Sequence, residues 1–177
     1  MTKPLTDTFS HWLGCFTDKR TFLGVDYDED KIRVACQTAP GHSRIRFKLG
    51  DILEMDYTLC DAVLLLDVLH YWRPEKKQTI LEKARRALRP GGRLILRDGM
   101  RAENAAHERV AFWERIATRI GHNRTREGLH FLTLAELEEA LRRAGFTKWE
   151  LKREAGRDSN LMVVATVCPA RVDKTKN

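Results

Sequence analysis

Short apolar runs along the chain alternate with stretches whose apolar residues recur every three or four positions, the pattern of a parallel sheet with crossover helices. Thr21–Val25 forms the first strand-like run, and Asp28 then stands where it can cap a helix that turns Ile32 and Ala35 inward until Pro40 and Gly41 end it. Arg44–Leu49 alternates polar and apolar residues as a strand does. Ala62–Leu66 is continuously apolar, as expected of a strand buried on both faces and lying deeper in the sheet. After Pro74, the spacing of Ile80, Leu81, Ala84, Ala87 and Leu88 predicts a helix that Pro90-Gly91-Gly92 stops before a strand over Arg93–Leu96.

Val110, Trp113, Ile116, Ala117 and Ile120 form one apolar stripe, predicting an amphipathic helix from Glu103 to Ile120. Thr133 and Glu136 fit a capping box ahead of a helix that buries Leu134, Leu137, Leu141 and Ala144, with Gly145 at its left-handed end. Trp149–Arg153 and Leu161–Val167 are joined too closely for a crossover helix, so they should pair antiparallel at one side of the sheet. The fold class is α/β, a Rossmann-like, mostly parallel sheet with flanking helices and a C-terminal antiparallel strand pair.

The 177 residues suit one domain, 1–169, followed by a basic tail, 170–177. Hydrophobic residues at 42% and charged residues at 32% describe an ordinary globular chain. No apolar run reaches the length a membrane-spanning helix needs and the first residues lack a secretory pattern, so the protein reads as cytoplasmic with no membrane partner. Cys15, Cys36, Cys60 and Cys168 have no metal-ligand spacing; they read as reduced structural thiols, and no metal site is expected. The net charge of +7 favours polyanions, but arginines alternate with glutamates between Arg101 and Glu127 as on a solvated helix face. A nucleic-acid partner rests on charge alone.

In this order the pieces resemble the class I S-adenosylmethionine-dependent methyltransferase family from Phe22 to Val167. The segment Phe22–Ile32 is similar to the family's second strand, and the resemblance makes Asp26 the acid that holds the ribose hydroxyls and Tyr27 the residue against the adenine face. An acid there also suits a plain strand-to-helix turn. Gly50-Asp51-Ile52 is similar to the adenine-edge site, with the Asp51 carboxylate on the exocyclic amine and the Ile52 amide on a ring nitrogen. Asp61–Trp72 resembles the fourth strand and its loop, which implies Asp67 and Val68 beside the methionine part and His70 near the transferred methyl. His70 is then either a general base or a packing histidine near Trp72. Leu88–Leu94 is similar to the turn into the fifth strand; that turn and Asp98 after the strand read as architectural. The Asn-Pro-Pro-Tyr type of motif is absent, which speaks against base-amine methylation.

The family's first strand and its Gly-x-Gly-x-Gly loop should precede Phe22, where Gly14 is the only glycine and Phe9–Phe16 reads as a remnant of the first helix. A clipped reading frame, a strand supplied by a second copy or a partner chain, and direct closure of the second and fourth strands each account for this. The resemblance implies S-adenosylmethionine as cofactor and methyl transfer to a small-molecule acceptor. A cofactor-incompetent domain or partner subunit, and an RNA methyltransferase, are the alternatives.

Overall fold

The computed structural model describes residues 20–39, 44–101, 129–153 and 160–168. The chain divides after Asp56 into two compact units. In the first, β1 (Phe22–Asp26) and β2 (Ile45–Leu49) pair in parallel, with Phe22 opposite Ile45 and Asp26 opposite Leu49. The crossover is α1 (Glu29–Thr38). Asp28 caps it as the sequence predicts, its Oδ1 accepting from the amides of Asp30 at 3.0 Å and Lys31 at 3.3 Å.

The second unit is a four-stranded sheet in the order β3-β4-β6-β5, formed by β3 (Cys60–Leu66), β4 (Leu88–Gly99), β5 (Lys148–Arg153) and β6 (Asn160–Thr166). β3 and β4 are parallel and joined by α2 (Pro74–Ala87); β6 lies antiparallel to both β4 and β5, so the terminal strand pair sits at one side as expected. The described strands thus form two hydrogen-bonded sheets.

Two expectations are corrected. Among the described residues β3 stands at the edge of its sheet, paired with β4 alone, and Leu64 is 44% exposed while Leu65 is buried, so they do not show the burial on both faces that its apolar run predicts. An apolar run reports the strand's composition, whereas its depth depends on how many neighbours pair with it. The fourth strand starts at Leu88 rather than Arg93, because Leu88 already pairs with Cys60 and the Pro-Gly-Gly turn is accommodated as a register shift before Ala62 meets Arg93. Gly92 is required there, since a Cβ would stand 2.8 Å from the Arg89 carbonyl oxygen.

The core of the second unit lies between this sheet and two helices. Pro74 starts α2, whose buried face carries Lys77, Ile80, Leu81, Ala84 and Ala87. α3 (Leu134–Arg143) begins in the predicted capping box: Thr133 Oγ1 accepts from the Glu136 amide and Glu136 Oε2 accepts from the Thr133 amide. It ends at Gly145, whose φ of +91° is the left-handed conformation foreseen for it. Leu137 and Leu141 are fully buried, as are Leu94, Leu96 and Val163, the inward residues of the strands. The helix expected from Glu103 to Ile120, the Phe9–Phe16 segment and the basic tail lie outside the described residues.

Candidate active site

In the first unit the carboxyl ends of β1 and β2 bring Asp26, Tyr27, Asp51 and Ile52 to one edge, tied by a 3.0 Å hydrogen bond from the Gly50 amide to the Asp26 carbonyl. Asp26 Oδ1 accepts from the Asp28 amide at 2.9 Å, and Oδ2 lies 3.9 Å from Lys31 Nζ. That oxygen keeps acceptor capacity for a hydroxyl. Tyr27 is 53% exposed, and partial burial, then the carboxylates of Asp26 and Asp28, push its phenol above the ordinary range. Asp51 Oδ1 accepts from the Leu53 amide at 2.7 Å and its carbonyl starts a turn at Ile52. Two carboxylates and a half-exposed aromatic ring, with Lys31 Nζ 6.0 Å from its centroid, suit a ligand with hydroxyl and amino donors and a flat ring, so this edge fits a nucleoside.

The second unit places its own chemistry at the carboxyl ends of β3 and β4, where open α/β sheets bind ligands. Asp67 follows β3 with φ +55°, a conformation that costs an L-residue roughly 1 kcal/mol and has to be held by its surroundings. Its amide donates to the Arg97 carbonyl at 2.8 Å, and its carboxylate is ion-paired with the Arg97 guanidinium. Val68 leads into a 3-10 turn (Leu69–Tyr71).

That turn buries His70 against Asp98, itself only 2% exposed. Strand alternation carries Leu94, Leu96 and Asp98 inward together, so a carboxylate ends a row of leucines. Asp98 Oδ1 meets His70 Nδ1 at 2.5 Å and accepts from the Gly99 amide at 2.8 Å; Oδ2 accepts from the His70 amide at 3.0 Å. An ionised carboxylate can only accept, so the proton between the pair sits on Nδ1, and Nε2 is the ring nitrogen left to exchange one. The arrangement can orient an imidazole and stabilise it once protonated. Phe131 stacks on the His70 ring, with centroids 5.2 Å apart and planes at 15°.

Asp98, read from the sequence as architectural, therefore belongs to the site. The inward register of β4 was the available signal. Lys77 was missed as well: it lines a small cavity with His70, Asp98, His130 and Met100, and its place three and four residues before Ile80 and Leu81 put it on the apolar face of α2. Among the described residues no cluster of His, Cys, Asp and Glu suits a metal ion.

Residues 8–92 match the family model described as methyltransferase domain. Acetylserotonin O-methyltransferase of Mus musculus is 31% identical over 113 residues, 64% of this chain and 28% of that protein. The chain thus spans less than a third of the curated relative it matches. The S-adenosylmethionine-dependent methyltransferase SibL, solved in its apo form, superposes with a TM-score of 0.65 at 26% identity, covering 85% of this chain and 43% of that one. Human N-acetylserotonin methyltransferase in complex with SAM gives a TM-score of 0.65 at 18% identity, over 90% and 43% of the two chains, and shares the fold.

The α/β architecture, with its carboxylates at the strand ends, is thus that of the class I methyltransferases. Over residues 8–92 in sequence, and in fold, the chain is similar to the S-adenosylmethionine-dependent methyltransferases.

Proposed function

We propose that the protein uses S-adenosylmethionine to methylate a small-molecule acceptor at a hydroxyl oxygen, with His70 as the general base. The observation that carries this reading is the buried His70–Asp98 pair, 2.5 Å between Nδ1 and Oδ1, at the carboxyl ends of the parallel strands. A hydroxyl must lose its proton as its oxygen is methylated, and an imidazole with a basic Nε2 is a suitable acceptor for it. The mouse relative's name specifies O-methylation and the human structure was solved with the cofactor, which supports both halves of the reading.

S-adenosylmethionine supplies an electrophilic sulfonium methyl when bound. This chain's residues do the rest. Asp26 would hold the ribose hydroxyls, Tyr27 would lie on the adenine, and the Asp51 carboxylate and Ile52 amide would read the adenine edge. Asp67 and Val68 take the place beside the methionine part that the family resemblance gives them. Asp98 fixes the tautomer and direction of His70, and His70 Nε2 takes the acceptor's proton. Most of the acceleration then comes from alignment, which a fixed imidazole helps to impose.

Calorimetric titration with S-adenosylhomocysteine, on the native chain and on Asp26→Ala, tests the cofactor half. Saturable binding, weakened roughly tenfold or more in the variant, is expected from loss of a charge-assisted contact of about 1.5–3 kcal/mol. No heat from folded protein would transfer the reading to a cofactor-incompetent domain or partner subunit.

A further inference from the structure

Lys77 is the most deeply buried cation described, 2% exposed within the apolar face of α2, and the proposed chemistry makes no use of it. Methionine or leucine would fill that position without the cost of burying an ammonium group. Its Nζ reaches across the cavity and donates to the His130 carbonyl oxygen. The same residue's amide donates to the His70 carbonyl at 2.7 Å, so the main chain at His130 is held from both sides, by Lys77 and by the turn that carries His70.

The next two residues finish the attachment. Phe131 stacks on His70, and the Leu132 carbonyl accepts from the Arg101 amide at 2.8 Å beside a bridge between Met100 and Leu132. Residues 129–132 belong to no strand, so contacts of this kind, rather than a continuous ladder, set their position.

We propose that Lys77 is a positioning residue that latches residues 129–132 over His70 and thereby keeps Phe131 against the imidazole. The His130 carbonyl is the latch point, and Lys77 acts on the base only through it. The proposal rests on the reading of His70 as that base; the latch itself is measurable without cofactor or acceptor. Charges facing Lys77 are Asp98 from β4, Glu136 from α3 and Arg101 after β4. Burial outweighs the two carboxylates and brings the pKa of the ammonium down to about 8, as fits a group closed over by this segment.

The test compares native protein, Lys77→Met and Lys77→Arg by nuclear magnetic resonance. In Lys77→Met the His130 amide should exchange with solvent roughly tenfold faster or more, while Leu96 and Val163 in the central ladder keep their rates. The His70 Hε1 resonance should move as the Phe131 ring current is lost, and Lys77→Arg, which restores a donor, should recover much of both. Unchanged His130 exchange, or an unmoved His70 resonance, overturns the latch.

Should Lys77→Met fail to fold, Phe131→Ala supplies the reciprocal measurement. Loosening the segment should re-solvate Lys77 and raise its titration from about 8 towards the ordinary 10.5, read at the side-chain Cε. A titration that stays in place overturns the proposal. Binding of S-adenosylhomocysteine is scored separately, so a chain that lacks cofactor affinity yet shows these shifts refutes the methyltransferase reading and leaves the latch standing.

Discussion

Asp98 holds three donors, the His70 ring, the His70 amide and the Gly99 amide, with one carboxylate that is almost wholly excluded from water. Removing a buried acceptor leaves every donor it served unsatisfied, at about 1–3 kcal/mol each before relaxation. Asp98→Ala should therefore lower stability by roughly 2–4 kcal/mol in urea unfolding. A double-mutant cycle with His70→Ala should return a coupling of about 1 kcal/mol or more, because the two residues contact each other directly. Additive losses would mean that Asp98 serves the backbone alone and does not orient the ring.

α3 gathers nearly all its local instructions into its ends. The capping box satisfies amides at its start and Gly145 closes it, so Thr133→Ala should cost about 1 kcal/mol, measured as a fall in the denaturation midpoint. These features were readable because a capping box and a terminal glycine act within one turn, and the caps at Asp28 and Thr133 and the antiparallel pairing of β5 with β6 all fall where the residue pattern puts them. What was not readable depends on partners far along the chain. The depth of β3 depends on how many strands pair with it, the early start of β4 on Cys60, and the role of Asp98 on a histidine 28 residues away. Lys77 escaped notice because lysine is assigned to solvent by type, and its place in an apolar stripe is explained by a contact 53 residues away, with the His130 carbonyl.

At the scale of the whole molecule, the buried Lys77 makes a contribution to the alkaline pH dependence whose sign is fixed, and the Cys60 thiol and Tyr27 phenol, both pushed up by burial, oppose it. The folded value of Lys77, about 8, lies below the ordinary 10.5, so between these limits this group binds more protons in the unfolded chain than in the folded one. Below about 8 the full cost of burying the ammonium is present; stability should rise with pH across the window, by of order 3 kcal/mol from this group. Lys77→Met should remove that rise. Urea unfolding at about pH 7.5 and about pH 10 checks it: the change in stability between the two should be more favourable in the native chain than in the variant by of order 2–3 kcal/mol. Glu136 acts at the other end. The Thr133 amide, helped by the Thr133 hydroxyl and Arg101, holds its carboxyl below the ordinary value against the opposing effect of burial, so its contribution is present at neutral pH and lost as acid protonates it.

β4 is the strand that the second unit shares: it pairs with β3 through the short α2 crossover on one side and with β6, from the far end of the chain, on the other. Closing the first junction orders a compact β-α-β unit at modest entropic cost, whereas the second must wait for about sixty intervening residues to be drawn in. Folding of this unit should therefore begin around β3, α2 and β4, with the terminal hairpin docking late. A ribosome would have to add the intervening residues and β6 itself before that hydrogen-bonding edge of β4 could be covered, and until then its backbone stands open to any other unpaired strand in reach.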